Sequence, residues 1–259
     1  MSVLRAAWRV AILAPVTAVG MPTQWAAVKL RLPAARAIPV LYHRFVCRVL
    51  GIRIVVKGTP PQRAPVLILS NHVSWLDVPI ISSLMPVSFV AKQEIGSWPF
   101  FGSLARLQRS VFIDRTRRHA TTDANAVIAG RLAAGDAIVL FAEGTTGDGT
   151  RLLPFRTALV GAARHLMAKE GAAQVELKPL SVAYVARHGL PLGRAGRSTV
   201  AWFGDLDLVP HFFDILRGAP FDIVVEWGEA VPFEGDRKVA TRLAEIRVRD
   251  GLTKALRQR

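Results

Sequence analysis

The feature that most constrains the fold is an alternation, from Ile52 onward, of short β-branched apolar runs with helix-length segments. The runs typical of strands are IRIVV, VLILS, VSFVA, SVFI, AIVLF, LSVAYV, TVAWF and FDIVVEW. Helix-length segments lie near residues 75–84, 121–134, 157–168 and 236–257. This alternation predicts an α/β fold, in which helices flank a central, largely parallel or mixed sheet.

The N-terminal segment is uncharged over a length that is relevant to membranes. Residues 10–28 are 19 residues without a charged side chain, close to the ~20 that cross a bilayer core. Pro15, Gly20 and Pro22 interrupt this stretch, so we expect a poor uninterrupted helix. The stretch is compatible with one membrane span and with a broken helix that enters one leaflet. It lacks a convincing small-residue cleavage site of a secretory signal peptide.

Positive charge is concentrated at the same end of the chain. The net charge is +15, and the ten Lys or Arg residues before Asp77 are accompanied by no acidic residue. Their apolar surroundings favour an anionic membrane surface over nucleic acid as the partner. We therefore predict a membrane-associated basic and apolar helical segment over residues 1–50 and an α/β domain over 51–259. Basic residues that follow a span mark the cytoplasmic side, so we expect the domain on the cytoplasmic face of the inner membrane.

Several common types of active site are not indicated by the sequence. Cys47 is the only cysteine, which excludes an intramolecular disulfide and a cysteine metal cluster. No G-x-S-x-G, H-E-x-x-H or complete phosphate-loop motif occurs. The patterns of a nucleophile-elbow hydrolase, a zinc protease and a P-loop nucleotide-binding protein are therefore missing.

The stretch SNHVSWLD, residues 70–77, places a histidine and an aspartate five positions apart after an apolar run. One interpretation is structural, because Ser74 and Asp77 fit a capping box at a helix start. The other is catalytic: His72, in the turn after a strand, can accept a hydroxyl proton near neutral pH. Asp77 would then hold the second ring nitrogen, as in a triad without its own nucleophile. That arrangement suits direct attack of a substrate hydroxyl on an acyl ester or thioester.

Two further strand ends carry polar side chains. Arg115 ends the segment VFIDR, and Glu143 lies in the segment LFAEGTT. Arg115 can bind an anionic head group with its planar guanidinium, and Glu143 can accept hydrogen bonds from hydroxyls. Each has an ordinary structural alternative, which is an ion pair with Asp114 for Arg115 and a turn for Glu143.

Together these segments resemble the glycerolipid acyltransferase family, whose best-known members acylate 1-acyl-glycerol-3-phosphate. The resemblance covers residues 51–185 and comprises several motifs in order. The residues that match are Asn71, His72 and Asp77, then Lys92, Glu94, Ile95, Pro99 and Gly102, then Phe112, Ile113, Asp114 and Arg115, then Glu143, Gly144 and Thr145, and last Pro179.

The resemblance implies a role for each matching site residue. His72 is expected to be the general base and Asp77 the residue that orients it. Arg115, Glu143, Gly144 and Thr145 are expected to bind the lysolipid acceptor. The acyl donor implied is acyl-CoA or acyl-carrier protein, used as a substrate, and neither a metal nor a bound cofactor is needed.

The acceptor expected first is 1-acyl-glycerol-3-phosphate, which would give phosphatidic acid in phospholipid biosynthesis. Three features depart from the family pattern: Ala142 stands where a proline is common, Thr146 where an arginine is common, and Arg109 and Ser110 in a region that commonly has a glycine. The loss of the basic side chain at position 146 weakens that expectation, because it removes one candidate ligand for the phosphate. The segments EGTTGDGTRLLPFRTAL and AWFGDLDLVPH look more like the branch that acylates lyso-ornithine lipid to ornithine lipid. A basic nucleic-acid-binding protein and a non-catalytic membrane protein are the alternatives from other classes.

Overall fold

A mixed β-sheet forms the centre of the molecule. The computed structural model describes residues 2–62, 65–114, 120–161, 175–232 and 236–257. Within these ranges the strands are β1 (Arg53–Lys57), β2 (Val66–Ser70), β3 (Ser88–Lys92), β4 (Val111–Ile113), β5 (Ala137–Phe141), β6 (Glu176–Arg187), β7 (Leu190–Pro191) and β8 (Phe221–Trp227). Their order is β1-β8-β6-β2-β5-β3-β4, with β7 paired to β6. Only the β6–β8 and β6–β7 pairings among these strands are antiparallel, which confirms the largely parallel, mixed sheet.

The helices agree with most of the sequence-based segments. The α-helices of the described ranges are α1 (Val3–Lys29), α2 (Ala34–Leu50), α3 (Asp77–Leu84), α4 (Gln93–Ser97), α5 (Phe101–Leu107), α6 (Ala120–Ala133), α7 (Arg194–Ser198), α8 (Leu208–Arg217) and α9 (Arg237–Arg257). The segments predicted near 75–84, 121–134 and 236–257 correspond to α3, α6 and α9. The segment predicted at 157–168 contains a short 3₁₀ turn at Ala158–Val160, and its part beyond residue 161 lies outside the described residues.

Two apolar layers hold the helices on the sheet. One face of the sheet packs against α6 and α9, and the other packs against α2 and α3. Side chains of β2 alternate between the layers, with Leu67 and Leu69 on the first side and Val66 and Ile68 on the second. All of them are at most 1% exposed, as expected for a central strand of a sheet that is covered on both faces. The end of β2 is therefore a rigid base for whatever follows it.

One predicted strand is wrong. Residues 199–203, TVAWF, are turn and irregular backbone. Val200 and Ala201 are fully buried, and the backbone N–H of Trp202 donates to the Val73 carbonyl at 2.9 Å. The apolar run therefore reflects burial against the turn after β2 and does not indicate pairing in a ladder.

Helix α1 is continuous, which corrects the expectation of an interrupted helix. It passes through Pro15 and Pro22, and it packs along α2, α5 and α8. Proline inside a helix costs about 3 kcal/mol, and this packing along the helix outweighs that local cost. Among the described helices, α1 is long and apolar enough to cross a membrane by length and composition.

The side of α1 that faces the rest of the protein is polar at three points. Arg9, Thr17 and Gln24 are each at most 6% exposed. The Thr17 hydroxyl lies 2.8 Å from the Tyr42 hydroxyl, and the Gln24 amide donates to the carbonyls of Ala35 and Leu107 at 3.0 Å. Polar contacts therefore fix α1 to the remainder of the chain along most of its length.

Arg9 provides the largest of these contacts. Its guanidinium donates to five backbone carbonyls at the ends of α2 and α8, those of Val49, Leu50, Ile215, Leu216 and Gly218. The last carbonyls of a helix have no partner inside the helix, and a cation there also interacts favourably with the helix dipole. One side chain of α1 thus satisfies the carbonyl ends of two other helices.

We expect Arg9→Met to destabilise the protein by about 2–4 kcal/mol, because several buried carbonyls lose their donors. Arg5→Met is the matched control, since Arg5 is exposed and its guanidinium donates one hydrogen bond, to the Gly218 carbonyl; we expect it to cost less than about 0.5 kcal/mol. Urea unfolding in mild detergent measures both variants. Equal losses in the two variants would contradict the role given to Arg9.

Candidate active site

The candidate site lies where two neighbouring parallel strands end. Strand β2 ends at Ser70 opposite Phe141, the last residue of β5. His72 follows β2 in a turn, and Glu143 follows β5. The carboxyl ends of parallel strands are the usual location of sites in α/β proteins. The fold therefore brings together two of the segments on which the sequence-based prediction depends.

His72 and Asp77 form a hydrogen-bonded pair. The Nδ1 atom of His72 lies 2.8 Å from Oδ2 of Asp77. The Asp77 side chain is fully buried, whereas the His72 side chain is 17% exposed. The His72 ring stacks on the Phe141 ring at 3.8 Å between centroids and 8° between planes. The imidazole is thus held on one face and at one nitrogen.

The Asp77 carboxylate also organises the turn that carries His72. Its Oδ2 atom accepts the backbone N–H groups of Val73 at 2.7 Å and Ser74 at 3.0 Å. This is the carboxylate half of the predicted capping box. The serine half is not formed, because the buried Ser74 hydroxyl has no hydrogen-bond partner in the described part of the chain. The two interpretations of SNHVSWLD therefore coexist in one residue, Asp77.

Asn71 attaches the same turn to strand β6. Its side-chain amide donates to the Val182 carbonyl at 2.9 Å and its oxygen accepts the Val182 N–H at 2.8 Å. The side chain therefore continues the β2–β6 pairing for one more step after β2 has ended. This contact gives a physical reason for an asparagine directly before His72.

Glu143 lies behind the His72 turn. Its carboxylate accepts the N–H of His72 at 3.1 Å and that of Leu153 at 3.4 Å, and the residue is 3% exposed. Burial raises the pKa of Glu143 to about 8, although the two backbone N–H donors act in the opposite direction. Glu143 thus links the His72 turn to the segment that follows β5.

The remaining site residues predicted from the sequence are Gly144, Thr145 and Arg115, and their surroundings differ. Gly144 has a φ of +74°, and a Cβ there would lie 2.9 Å from the Arg156 side chain, so both the backbone and the space favour glycine. Thr145 is exposed next to it. Arg115 lies outside the described residues, although Asp114, at the end of β4, is described.

The site also contains a residue that the sequence analysis did not select. Tyr184, on β6, donates its hydroxyl to Oδ1 of Asp77 at 2.7 Å. The two residues are 107 positions apart. The apolar run LSVAYV, which contains Tyr184, indicates a buried strand. The one signal in the sequence is a tyrosine hydroxyl within this apolar run, and it does not identify the residue that accepts its hydrogen bond.

Comparison with known proteins identifies the family. The sequence model described as Acyltransferase matches residues 52–183, just over half of the 259 residues. The lyso-ornithine lipid O-acyltransferase of Brucella abortus is 46% identical over 238 residues, which cover 91% of this chain and 89% of the relative. The chain therefore belongs to the acyltransferase family, and it is an O-acyltransferase that acts on lysolipids. The predicted family and enzyme class are confirmed.

Two further similarities are informative. The 1-acyl-sn-glycerol-3-phosphate acyltransferase of Neisseria gonorrhoeae is 41% identical over 104 residues, which cover 39% of this chain and 41% of the relative. The crystal structure of the 1-acyl-sn-glycerophosphate acyltransferase of Thermotoga maritima has a TM-score of 0.66 and 20% identity, with 99% and 98% of the two chains covered. The structural match confirms the predicted α/β fold.

The buried Glu143 carboxyl should make stability depend on pH. The folded protein holds its proton up to about pH 8, whereas the group ordinarily releases it near 4.5, so folding becomes less favourable as pH rises between these values. We expect the Tm of the native protein to fall relative to that of Glu143→Gln between pH 5.5 and about 8. Calorimetry of both proteins measures the difference, with Glu94→Gln as an exposed control. A Tm difference that stays constant or moves in the opposite direction would disprove the assignment.

Proposed function

We propose that this enzyme acylates the free hydroxyl of a lyso-ornithine lipid to give an ornithine lipid. The observation that carries the proposal is the 46% identity to the Brucella abortus lyso-ornithine lipid O-acyltransferase over nearly the whole of both chains. The relative from Neisseria gonorrhoeae, named for 1-acyl-glycerol-3-phosphate, matches over only 39% of this chain. The acceptor expected first from the sequence therefore has less support than the alternative.

Position 146 supports the same acceptor. Thr146 stands where the family often has an arginine, and it directly follows the Glu143–Thr145 segment beside the His72 turn. The head group of a lyso-ornithine lipid is an amino acid with a carboxylate and an amine, whereas 1-acyl-glycerol-3-phosphate carries a phosphate monoester. A site with one cation fewer fits the less anionic of the two head groups.

In the proposed mechanism His72 is the general base. Asp77 is buried and accepts the N–H groups of Val73 and Ser74, so it acts as an acceptor toward the imidazole as well. The proton of the neutral ring therefore belongs on Nδ1, and Nε2 is the basic nitrogen. Asp77 keeps this tautomer and stabilises the imidazolium that forms during the reaction.

The chemical step then needs two substrates and this one base. The acceptor hydroxyl gives its proton to Nε2 of His72 while its oxygen attacks the thioester carbonyl carbon. The tetrahedral intermediate collapses with cleavage of the C–S bond, and the imidazolium returns the proton to the thiolate. General base catalysis of this kind contributes roughly 10²–10⁴ in rate. We propose acyl-CoA or acyl-carrier protein as the donor, with no metal and no cofactor.

The remaining sequence-predicted residues are proposed to bind the acceptor or to shape its site. The exposed Thr145 and the half-buried Gly144 lie in the segment beside His72. Arg115 remains a proposed ligand for the acceptor's anionic group. Glu143, with both oxygens engaged by backbone N–H groups, contributes by holding the His72 turn in place.

We further propose that α1 lies in the plane of the membrane and does not cross it. Arg9 and Gln24, both bound to the domain, are separated by about 22 Å of helix. Apolar side chains face outward from one end of α1 to the other: Val3, Leu4, Trp8, Val19 and Trp25 are each at least 56% exposed. A helix held by its polar side and apolar on its outer side matches an interfacial anchor. The active site would then face the leaflet that contains both lipids, on the cytoplasmic side of the inner membrane.

A panel of lysolipids tests the acceptor. We expect purified protein supplied with acyl-CoA or acyl-carrier protein to form ornithine lipid at least roughly tenfold faster than phosphatidic acid, because a polar site rejects a mismatched head group strongly. Product formation is measured by mass spectrometry. His72→Ala, checked for folding by calorimetry, should lose roughly 10²–10⁴ in rate.

The outcomes of this panel are distinct. Faster formation of phosphatidic acid would replace the proposed acceptor but keep the enzyme class. Substantial activity of a folded His72→Ala variant would remove the assigned base. Equal use of both lysolipids would also contradict the preference.

The membrane-facing side of α1 is tested by polar substitution. Trp8→Ser, Val19→Ser and Trp25→Ser combined should greatly reduce co-sedimentation with phosphatidylglycerol-containing vesicles, because less apolar area is buried in the lipid. Val127→Ser and Val239→Ser combined are the control, since these valines are similarly exposed, at 52% and 56%, on α6 and α9. If both the triple variant and the control variant bind vesicles as well as the native protein does, α1 is not the anchor.

A further inference from the structure

The fully buried Tyr184 has a hydroxyl that needs an explanation. Tyr184 is 2% exposed and lies among apolar residues of the layer under α2 and α3, with Phe221 packed edge-on at 6.3 Å. A phenylalanine would fill the same apolar space. Burying a hydroxyl costs free energy unless it forms a hydrogen bond, and this hydroxyl donates to the Asp77 carboxylate at 2.7 Å.

The protonation of Tyr184 fixes the direction of this bond. Burial and the neighbouring Asp77 carboxylate raise the pKa of Tyr184 well above its usual value. The phenol therefore keeps its proton and donates it to Oδ1 of Asp77. The other titratable groups around the pair are His72, Glu143 and Cys47.

The two oxygens of Asp77 have different partners. Oδ2 faces the turn and contacts Nδ1 of His72 together with the N–H groups of Val73 and Ser74. Oδ1 faces β6 and accepts from Tyr184. Rotation of the carboxylate about its terminal bond would break both sets of contacts. The phenol therefore helps to hold the plane of the carboxylate in the orientation that meets the imidazole.

We propose that Tyr184 is a positioning residue for acyl transfer, acting through Asp77 to fix the orientation and basicity of His72. The inference rests on the proposed role of His72 as general base. Without the phenol, Oδ1 is a buried oxygen without a donor, and the more negative carboxylate stabilises the protonated imidazole. A smaller fraction of His72 is then competent to accept the hydroxyl proton. The substrates themselves do not contact Tyr184 in this arrangement.

Tyr184→Phe tests the proposal because it removes one oxygen atom and keeps the ring. We expect kcat to fall about tenfold, because a carboxylate that is no longer held at Oδ1 aligns the imidazole less well with the acceptor hydroxyl. KM should stay within about twofold, because no substrate contact is lost. The acidic limb of the pH–rate profile should move to higher pH. Native-like kcat in Tyr184→Phe would overturn the proposal.

The chain offers a matched control, since Tyr42 is the other of its two tyrosines. The Tyr42 hydroxyl pairs with Thr17 at 2.8 Å, between α1 and α2. Tyr42→Phe therefore removes the same atom away from the site, and we expect its kcat and pH profile to be those of the native protein. Equal losses in both tyrosine variants would indicate general destabilisation and overturn the proposal.

A double-mutant cycle separates positioning from structure. In an Asp77→Asn background, Tyr184→Phe should lower kcat by less than about twofold, because the carboxylate that contacts both the phenol and the imidazole is already absent. If Tyr184→Phe lowers kcat by the same factor with Asp77 and with Asn at position 77, Tyr184 does not act through Asp77. Native protein that shows no more transfer than His72→Ala would instead refute the proposed function itself, so the two failures are distinguishable.

Discussion

The rest of the site depends on the hydrogen bonds of the buried Asp77 carboxylate. It contacts the imidazole of His72, two backbone N–H groups of the same turn and the Tyr184 hydroxyl. A buried charge is tolerated only when such partners replace water. These contacts fix the turn, the ring and strand β6 relative to one another. The same carboxylate holds the turn that leads into α3 and orients the proposed base, so the structure of this turn and the proposed chemistry depend on one group.

The sheet explains why that carboxylate can be buried there. Strand β2 is central and covered on both faces; it ends level with β5 on one side, whereas β6 continues past it on the other. Asn71 bonds to β6, Phe141 of β5 stacks on His72, and Glu143 supports the His72 backbone. The turn is therefore enclosed by rigid strands, while the imidazole keeps partial access to solvent. This combination suits a base that must meet a lipid hydroxyl in a site from which most water is excluded.

The attachment of α1 follows a different principle. In most soluble proteins a surface helix directs its apolar side toward the core. Here three buried polar residues face the domain, and large apolar residues face outward. Arg9 makes this arrangement stable because it satisfies carbonyls at two helix ends that would otherwise lack donors. The outer apolar side is then free to contact lipid, which accounts for the proposed position of the active site beside the bilayer.

The sequence by itself determined the α/β class, the acyltransferase family and the pairing of His72 with Asp77. Each depends on short-range patterns: the period of apolar residues, ordered motifs, and two residues five positions apart on one turn. Tertiary structure alone decided the links between distant segments. Tyr184 meets Asp77 across 107 positions, Arg9 meets Gly218 across 209, and TVAWF is buried without joining the sheet. Apolar patterns specify which residues are buried, but strand order and helix packing decide which buried polar groups become neighbours.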